Sequence, residues 1–153
     1  MLETETKLKV APAEAFAENL HAICGSFDVD HKRGTLRGSA TCMSKSGLDL
    51  AIVDHEADAI HRRSANIKRD PGNHFFLVVQ AAGSSHMAQS GCAAQLEPGD
   101  MFLVDSTRSS SFYYGGRRSR QVSIHLPREE TLRRFGRRIS AGMSISGRDP
   151  LVQ

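Results

Sequence analysis

A mainly β sandwich or barrel, with one short helix before it and one after, is the fold that this 153-residue sequence predicts. Three observations carry the prediction. From Gly34 onward, short segments of β-branched, aromatic or alternating character recur about every ten residues, separated by turn residues. Helical periodicity is confined to residues 12–23 and 127–139. The composition, 39% hydrophobic and 24% charged, is that of one globular domain long enough to bury a core.

In the first helical segment, Phe16, Leu20 and Ile23 recur at i, i+4 and i+7, and Pro12 stands where a first-turn proline is tolerated. Glu14 lies near the positive helix end, and Gly25 is placed to stop the helix. The expected strands are 35–43, 48–55, 58–64, 74–82, 85–89, 92–96, 101–105, 110–114 and 119–126, with one long break at 65–73. Ser46-Gly47 and Ser90-Gly91 supply the glycine that a tight hairpin needs at positive φ. Glu97-Pro98-Gly99-Asp100 has the proline and glycine order of a type II turn. Residues 75–79 do not alternate cleanly, so that strand is expected to be covered on one face by the barrel contents and on the other by a helix.

Pro127 opens the last helix, expected to run to Ile139. Glu129 and Glu130 lie in its first turn, Arg133, Arg134, Arg137 and Arg138 toward its end, and Leu132, Phe135 and Ile139 form its buried stripe. The small, Gly-rich tail after it has the character of a linker. The expected organisation is an N-terminal arm and helix over 1–33, a barrel over 34–126, and a C-terminal helix with the start of a linker over 127–153.

Several function classes lose support at this stage. No apolar run approaches the roughly 18 residues of a membrane span, and the N-terminus lacks the apolar stretch of a signal peptide, so a cytoplasmic location is expected. Cys24, Cys42 and Cys92 are odd in number and widely spaced, which favours reduced thiols with packing roles. The seven histidines never occur as HxH, HxxxH or HxxE; His55 and His61 could meet across a hairpin, but no third ligand can be named, and no metal or other cofactor is expected. There is no Gly-x-Ser-x-Gly elbow, no phosphate loop and no GxGxxG after a strand. Residues 108–138 hold nine Arg and two Glu, a local +7 against −4 elsewhere. That window is either a nucleic-acid patch or a solvated or docking face, and no base-reading module accompanies it.

The segment from Gly83 to Arg128 carries a resemblance. Its landmarks are the glycine ending a strand at Gly83, the hairpin glycine Gly91 and the turn Leu96-x-Pro98-Gly99-Asp100. Next come an apolar strand leading to Asp105-Ser106, and His125-Leu126-Pro127-Arg128 before a helix. Together with Arg63-Ser64 upstream, these resemble the N-terminal sensor domain of AraC-family transcription regulators, in the AraC-binding-like or FeaR-like subgroup. The resemblance covers residues 34–138 and implies a cupin-like double-stranded β-helix, a jelly-roll barrel, that binds a small effector. It also implies homodimerisation, and DNA binding through a C-terminal pair of helix-turn-helix motifs that this chain does not contain. The stretches matching the metal motif of catalytic cupins, 75–89 and 98–105, lack the HxH-and-Glu constellation. The expected role is therefore effector sensing without catalysis; the alternative is a small cupin enzyme, a metal-dependent isomerase or dioxygenase.

The expected ligand site follows from strand alternation and from the resemblance. If Val122, Ile124 and Leu126 face inward, Arg120 shares their face near the strand's mouth. The resemblance points to Arg63 as a ligand-clamping arginine, whose forked guanidinium suits a carboxylate, and to Phe112 as an aromatic wall. The expected effector is thus a small organic molecule, in the first instance a carboxylate, held by Arg63 and Arg120, stacked on Phe112 and enclosed by Val122 and Ile124. The alternatives are a salt bridge from Arg63 to Asp49, Asp54 or Asp58, and solvation of Arg120 at a strand edge.

Overall fold

The computed structural model of the chain describes residues 8–148. Two antiparallel sheets face each other and enclose one core. The larger contains β1 (Val10–Pro12), β3 (Thr35–Lys45), β4 (Leu48–His55), β6 (His74–Ala82), β9 (Met101–Asp105), β11 (Ser119–Pro127) and β12 (Ser144–Ile145), in the order β1-β3-β4-β11-β6-β9-β12. The smaller contains β2 (Asp28–Asp30), β5 (Ala59–Arg62), β7 (Ser85–Gln89), β8 (Cys92–Leu96) and β10 (Ser110–Tyr113), in the order β2-β5-β10-β7-β8. Helix α1 (Ala13–Cys24) buries Phe16 and Leu20 against the core, and α2 (Ser64–Arg69) and α3 (Arg128–Phe135) complete the fold. The expected mainly β, cupin-like jelly roll with flanking helices is what is found.

Turn chemistry fixes the registers. At the β3–β4 hairpin Ser46 and Gly47 both have positive φ (54° and 80°), the requirement of a type I′ turn whose twist matches its strands. Gly99 lies at φ 98° in the predicted type II turn, which Asp100 closes by donating its N–H to the Glu97 carbonyl at 2.9 Å.

Some elements differ from expectation. The 65–73 break contains α2, which has no periodic stripe and depends on Asn66: its side-chain oxygen accepts the Arg63 N–H at 2.7 Å, and its amide donates to Ser26 Oγ at 3.1 Å. The last helix ends at Phe135, because Gly136 turns the chain into a 3₁₀ segment, Gly136–Arg138. Phe135 is half exposed, and the buried helical residue is Thr131, whose hydroxyl donates to the Pro127 carbonyl. In β6 the faces do alternate, with Phe76, Val78 and Gln80 inward, while the outward Phe75 is covered by the Arg128 guanidinium, 5.7 Å from its ring centre. The arginine-rich window is dispersed in space: Arg118 grips Asp54, Arg128 reaches Asp105 at 3.3 Å, and Arg133 and Arg134 pair with Glu130.

Candidate functional site

Strand alternation brings a set of apolar side chains into the space between the sheets. Phe76 and Val78 from β6, Val53 from β4 and Val104 from β9 face Ile60 from β5, Met87 from β7 and Phe112 from β10. They bound a cavity of about 50 Å³, room for a few water molecules. Leu20 and Cys24 at the end of α1, with Phe27 just after it, close one side. Phe27 occupies the middle of this aromatic group, its ring centre 6.4 Å from Phe76 and 6.3 Å from Phe112. Burial pushes the Cys24 thiol up to about 12, with Cys42 adding to the shift, so the sulfur stays protonated and acts as a packing atom.

The polar groups around Gln121 satisfy one another. Gln121 donates to Gln80 Oε1 at 2.9 Å and to Ser85 Oγ at 3.2 Å, and accepts from the Tyr114 hydroxyl at 3.0 Å. Ser85 donates to Gln80 Oε1, and Gln80 donates to Ser119 Oγ and to the Ala82 carbonyl. Burial holds the Tyr114 hydroxyl protonated well beyond its usual range, leaving it a fixed donor. The cavity is therefore an apolar pocket with Gln121 and Ser123 as its polar wall.

This closed network explains why β11 is inverted relative to the sequence expectation. Gln121 and Ser123 face the cavity, whereas Val122 and Ile124 lie on the outer face of the larger sheet, opposite Ile52 and Val79, and Leu50 and Leu77, respectively. Apolar groups line both faces of these strands, so hydrophobicity alone does not choose the inner one. Arg120 falls at a bulge beside Gln121, opposite Asp54 and away from the cavity. Strand β5 carries the same one-residue displacement. Ile60 faces inward, so Arg63 leaves the barrel; its half-exposed guanidinium pairs with Asp28 at 2.8 Å and Asp30 at 3.8 Å. These partners differ from Asp49, Asp54 and Asp58. Of the five residues expected at the site, Phe112 alone lines the cavity. Among the described residues no group of three His, Cys, Asp or Glu is arranged to hold a metal ion.

Residues 16–153 match the family model of the AraC-binding-like domain. The chain belongs to that family. It is 27% identical over 104 residues to the "uncharacterized protein in nit 5'region" of Bacillus sp. strain OxB-1, a match covering 65% of this chain and 40% of that protein. Its fold is similar to that of the AraC-like transcriptional activator CuxR, with a TM-score of 0.61 and 14% identity over 91% of this chain and 54% of CuxR. A cupin superfamily protein from Desulfitobacterium hafniense DCB-2 matches with a TM-score of 0.45 and 12% identity, over 65% of this chain and 83% of that one. The chain thus spans about 40% of the Bacillus protein and 54% of CuxR.

In this AraC-binding-like domain the buried arginine of β5 is Arg62, the neighbour of Arg63. Its side chain is 1% exposed, and it donates from Nε to the Ser106 carbonyl at 2.7 Å, from Nη1 to the Ser26 carbonyl at 2.8 Å, and from Nη2 to the Asp70 carbonyl. The Asp70 carboxylate stands 3.6 Å away, and the Phe27 ring lies 5.5 Å beneath the guanidinium. Arg62 therefore ties three loops together and holds Phe27 against the cavity. The signal was present in the sequence: Ile60 and Arg62 share a face, and an inward Ile60 brings Arg62 with it. Burial also holds His55 neutral, with its pKa lowered to about 4. Its Nδ1 accepts the Ala57 N–H at 3.0 Å, and its ring meets Tyr114 edge-on at 4.3 Å.

Proposed function

We propose that this AraC-binding-like domain is the effector-sensing part of a transcription regulator, binding a small organic molecule in the cavity between its two sheets. Regulation then passes to DNA through a domain outside this chain, and the full-length protein acts in the cytoplasm as a homodimer. The observation that carries the reading is the cavity itself: an apolar interior with a short polar wall, bordered on one side by the end of a helix and by Phe27. At about 50 Å³ the cavity is smaller than an organic guest. Binding therefore requires Phe27 and the end of α1 to move outward, which makes the guest a ligand with different affinities for two arrangements of the domain. That difference is what a sensor requires. No helix among the described residues is long and apolar enough to cross a membrane.

A thermal-shift screen of small organic molecules on the wild-type chain and on Ser123→Val tests the proposal. Ser123 lines the cavity, and valine fills the hollow from a strand position that favours a β-branched side chain. The variant is expected to be at least as stable as wild type without ligand, and to lose the stabilisation that hits give the wild type. Hits that stabilise both proteins equally would place binding elsewhere.

A further inference from the structure

A second recess adjoins the cavity at the end formed by α1, β6 and β11. It is a crevice of about 330 Å³ bordered by His21, His74 and His125, and it shares Cys24 and Phe76 with the cavity wall. The two imidazoles of the sheet flank the shared ring: His74 stacks on Phe76 with 11° between planes, and the His125 ring centre lies 4.8 Å from that of Phe76. Phe76 is thus the partition between an apolar chamber and a polar one. In the crevice, His125 Nε2 is buried without a hydrogen-bond partner among the described residues. A buried imidazole nitrogen left without a partner is costly, and a ligand oxygen reaching it removes that cost.

We propose that the crevice is the head-group site of the effector, and that the effector is a small monocarboxylate with an apolar body. The carboxylate meets His21, His74 and His125, and the body passes Phe76 and Cys24 into the cavity. This rests on the reading of the cavity as the effector site and adds the chemistry of what it selects. Three nitrogen-bearing rings from three elements suit a group with two acceptor oxygens better than a hydroxyl, which engages fewer of them. An ammonium head is disfavoured, because the acidic group on the crevice wall is already committed: Asp70 accepts the Ser26 N–H at 2.9 Å and lies 3.6 Å from Arg62. Asp49 on β4 also acts on His125. Burial, with His74 next, lowers the His125 pKa, and its buried Nε2, when it carries the ring proton, is a donor that a carboxylate oxygen can meet.

Calorimetry at pH 7 with hexanoate, 1-hexanol and hexylamine, identical in body and different in head, tests this on the wild-type chain and on a variant combining His21→Leu with His125→Leu. Hexanoate is expected to bind about tenfold more tightly than either neighbour, and the variant is expected to bring hexanoate down to the level of hexanol, with hexanol losing less affinity than hexanoate. Equal binding of the three probes by wild type would overturn the head-group site and leave the cavity reading standing. Binding by none of them would overturn both. A second measurement needs no variant: nuclear Overhauser contacts from the C2 protons of hexanoate should reach the imidazole protons of His125, and contacts confined to other histidines would refute the assignment.

Discussion

Replacing Arg62 by methionine keeps most of the side chain's volume and removes its five N–H donors, leaving the Ser26, Asp70 and Ser106 carbonyls without their present partner. Each buried acceptor stranded in this way costs about 1–3 kcal/mol. The buried guanidinium's own desolvation penalty is relieved at the same time, and the net loss expected is about 3–5 kcal/mol. For a chain of this size that corresponds to a fall in Tm of roughly 10 °C. Arg63→Met is the matched control: its ion pair with Asp28 is half exposed, and such pairs contribute under about 1 kcal/mol. Equilibrium denaturation of both variants, followed by tryptophan-independent far-UV circular dichroism because the chain has no Trp, reads the difference directly. An Arg63 variant that loses as much as the Arg62 variant, or more, would refute the placement of β5.

Further outcomes follow from the same geometry. His55 is neutral in the fold with a pKa near 4 against 6.5 for the exposed group, so between these values the unfolded chain binds the extra proton. Its contribution, roughly 3 kcal/mol, is present above pH 6.5 and is lost as pH falls toward 4; His55→Phe should flatten the fall in Tm between those pH values, and an unchanged slope would remove His55 as its source. A side chain at Gly83, where φ is 70°, would put its Cβ 2.3 Å from the Arg118 carbonyl oxygen, whereas Gly91 at φ 78° has open space around it. Gly83→Ala should therefore cost clearly more than the roughly 1 kcal/mol of left-handed strain expected for Gly91→Ala, as measured by urea unfolding.

Much of the fold was legible because turn chemistry is local. Ser46-Gly47 and Ser90-Gly91 mark where hairpins turn, Pro98-Gly99 marks where the chain crosses between the sheets, and β6, β7, β8 and β9 lie on the predicted residues. The short edge strands β1, β2 and β12, two or three residues each, carry no periodic signal and exist through pairing with distant partners such as β3, β5 and β9. The candidate site was less legible for a different reason. Which face of β11 points inward is decided by the mutual satisfaction of Gln80, Ser85, Tyr114 and Gln121, residues from four different strands or turns. That agreement is invisible along one strand, where Val122 and Ile124 look like the better interior set. With β11 turned over, Arg120 lies off the cavity wall; with Ile60 inward, Arg63 lies off it too and Arg62 is buried.

Effector sensing by this domain requires a guest to enter the cavity between the sheets. Methyl-labelled methionine reports on it from inside, because Met87 lines the cavity at 1% exposure while Met43 is 45% exposed on β3. Titrating 1-hexanol while following the methionine methyl resonances should move Met87 and leave Met43 in place, with the Met87 response abolished in Ser123→Val. A Met87 signal that stays fixed at saturating guest, or a response confined to Met43, would contradict the account.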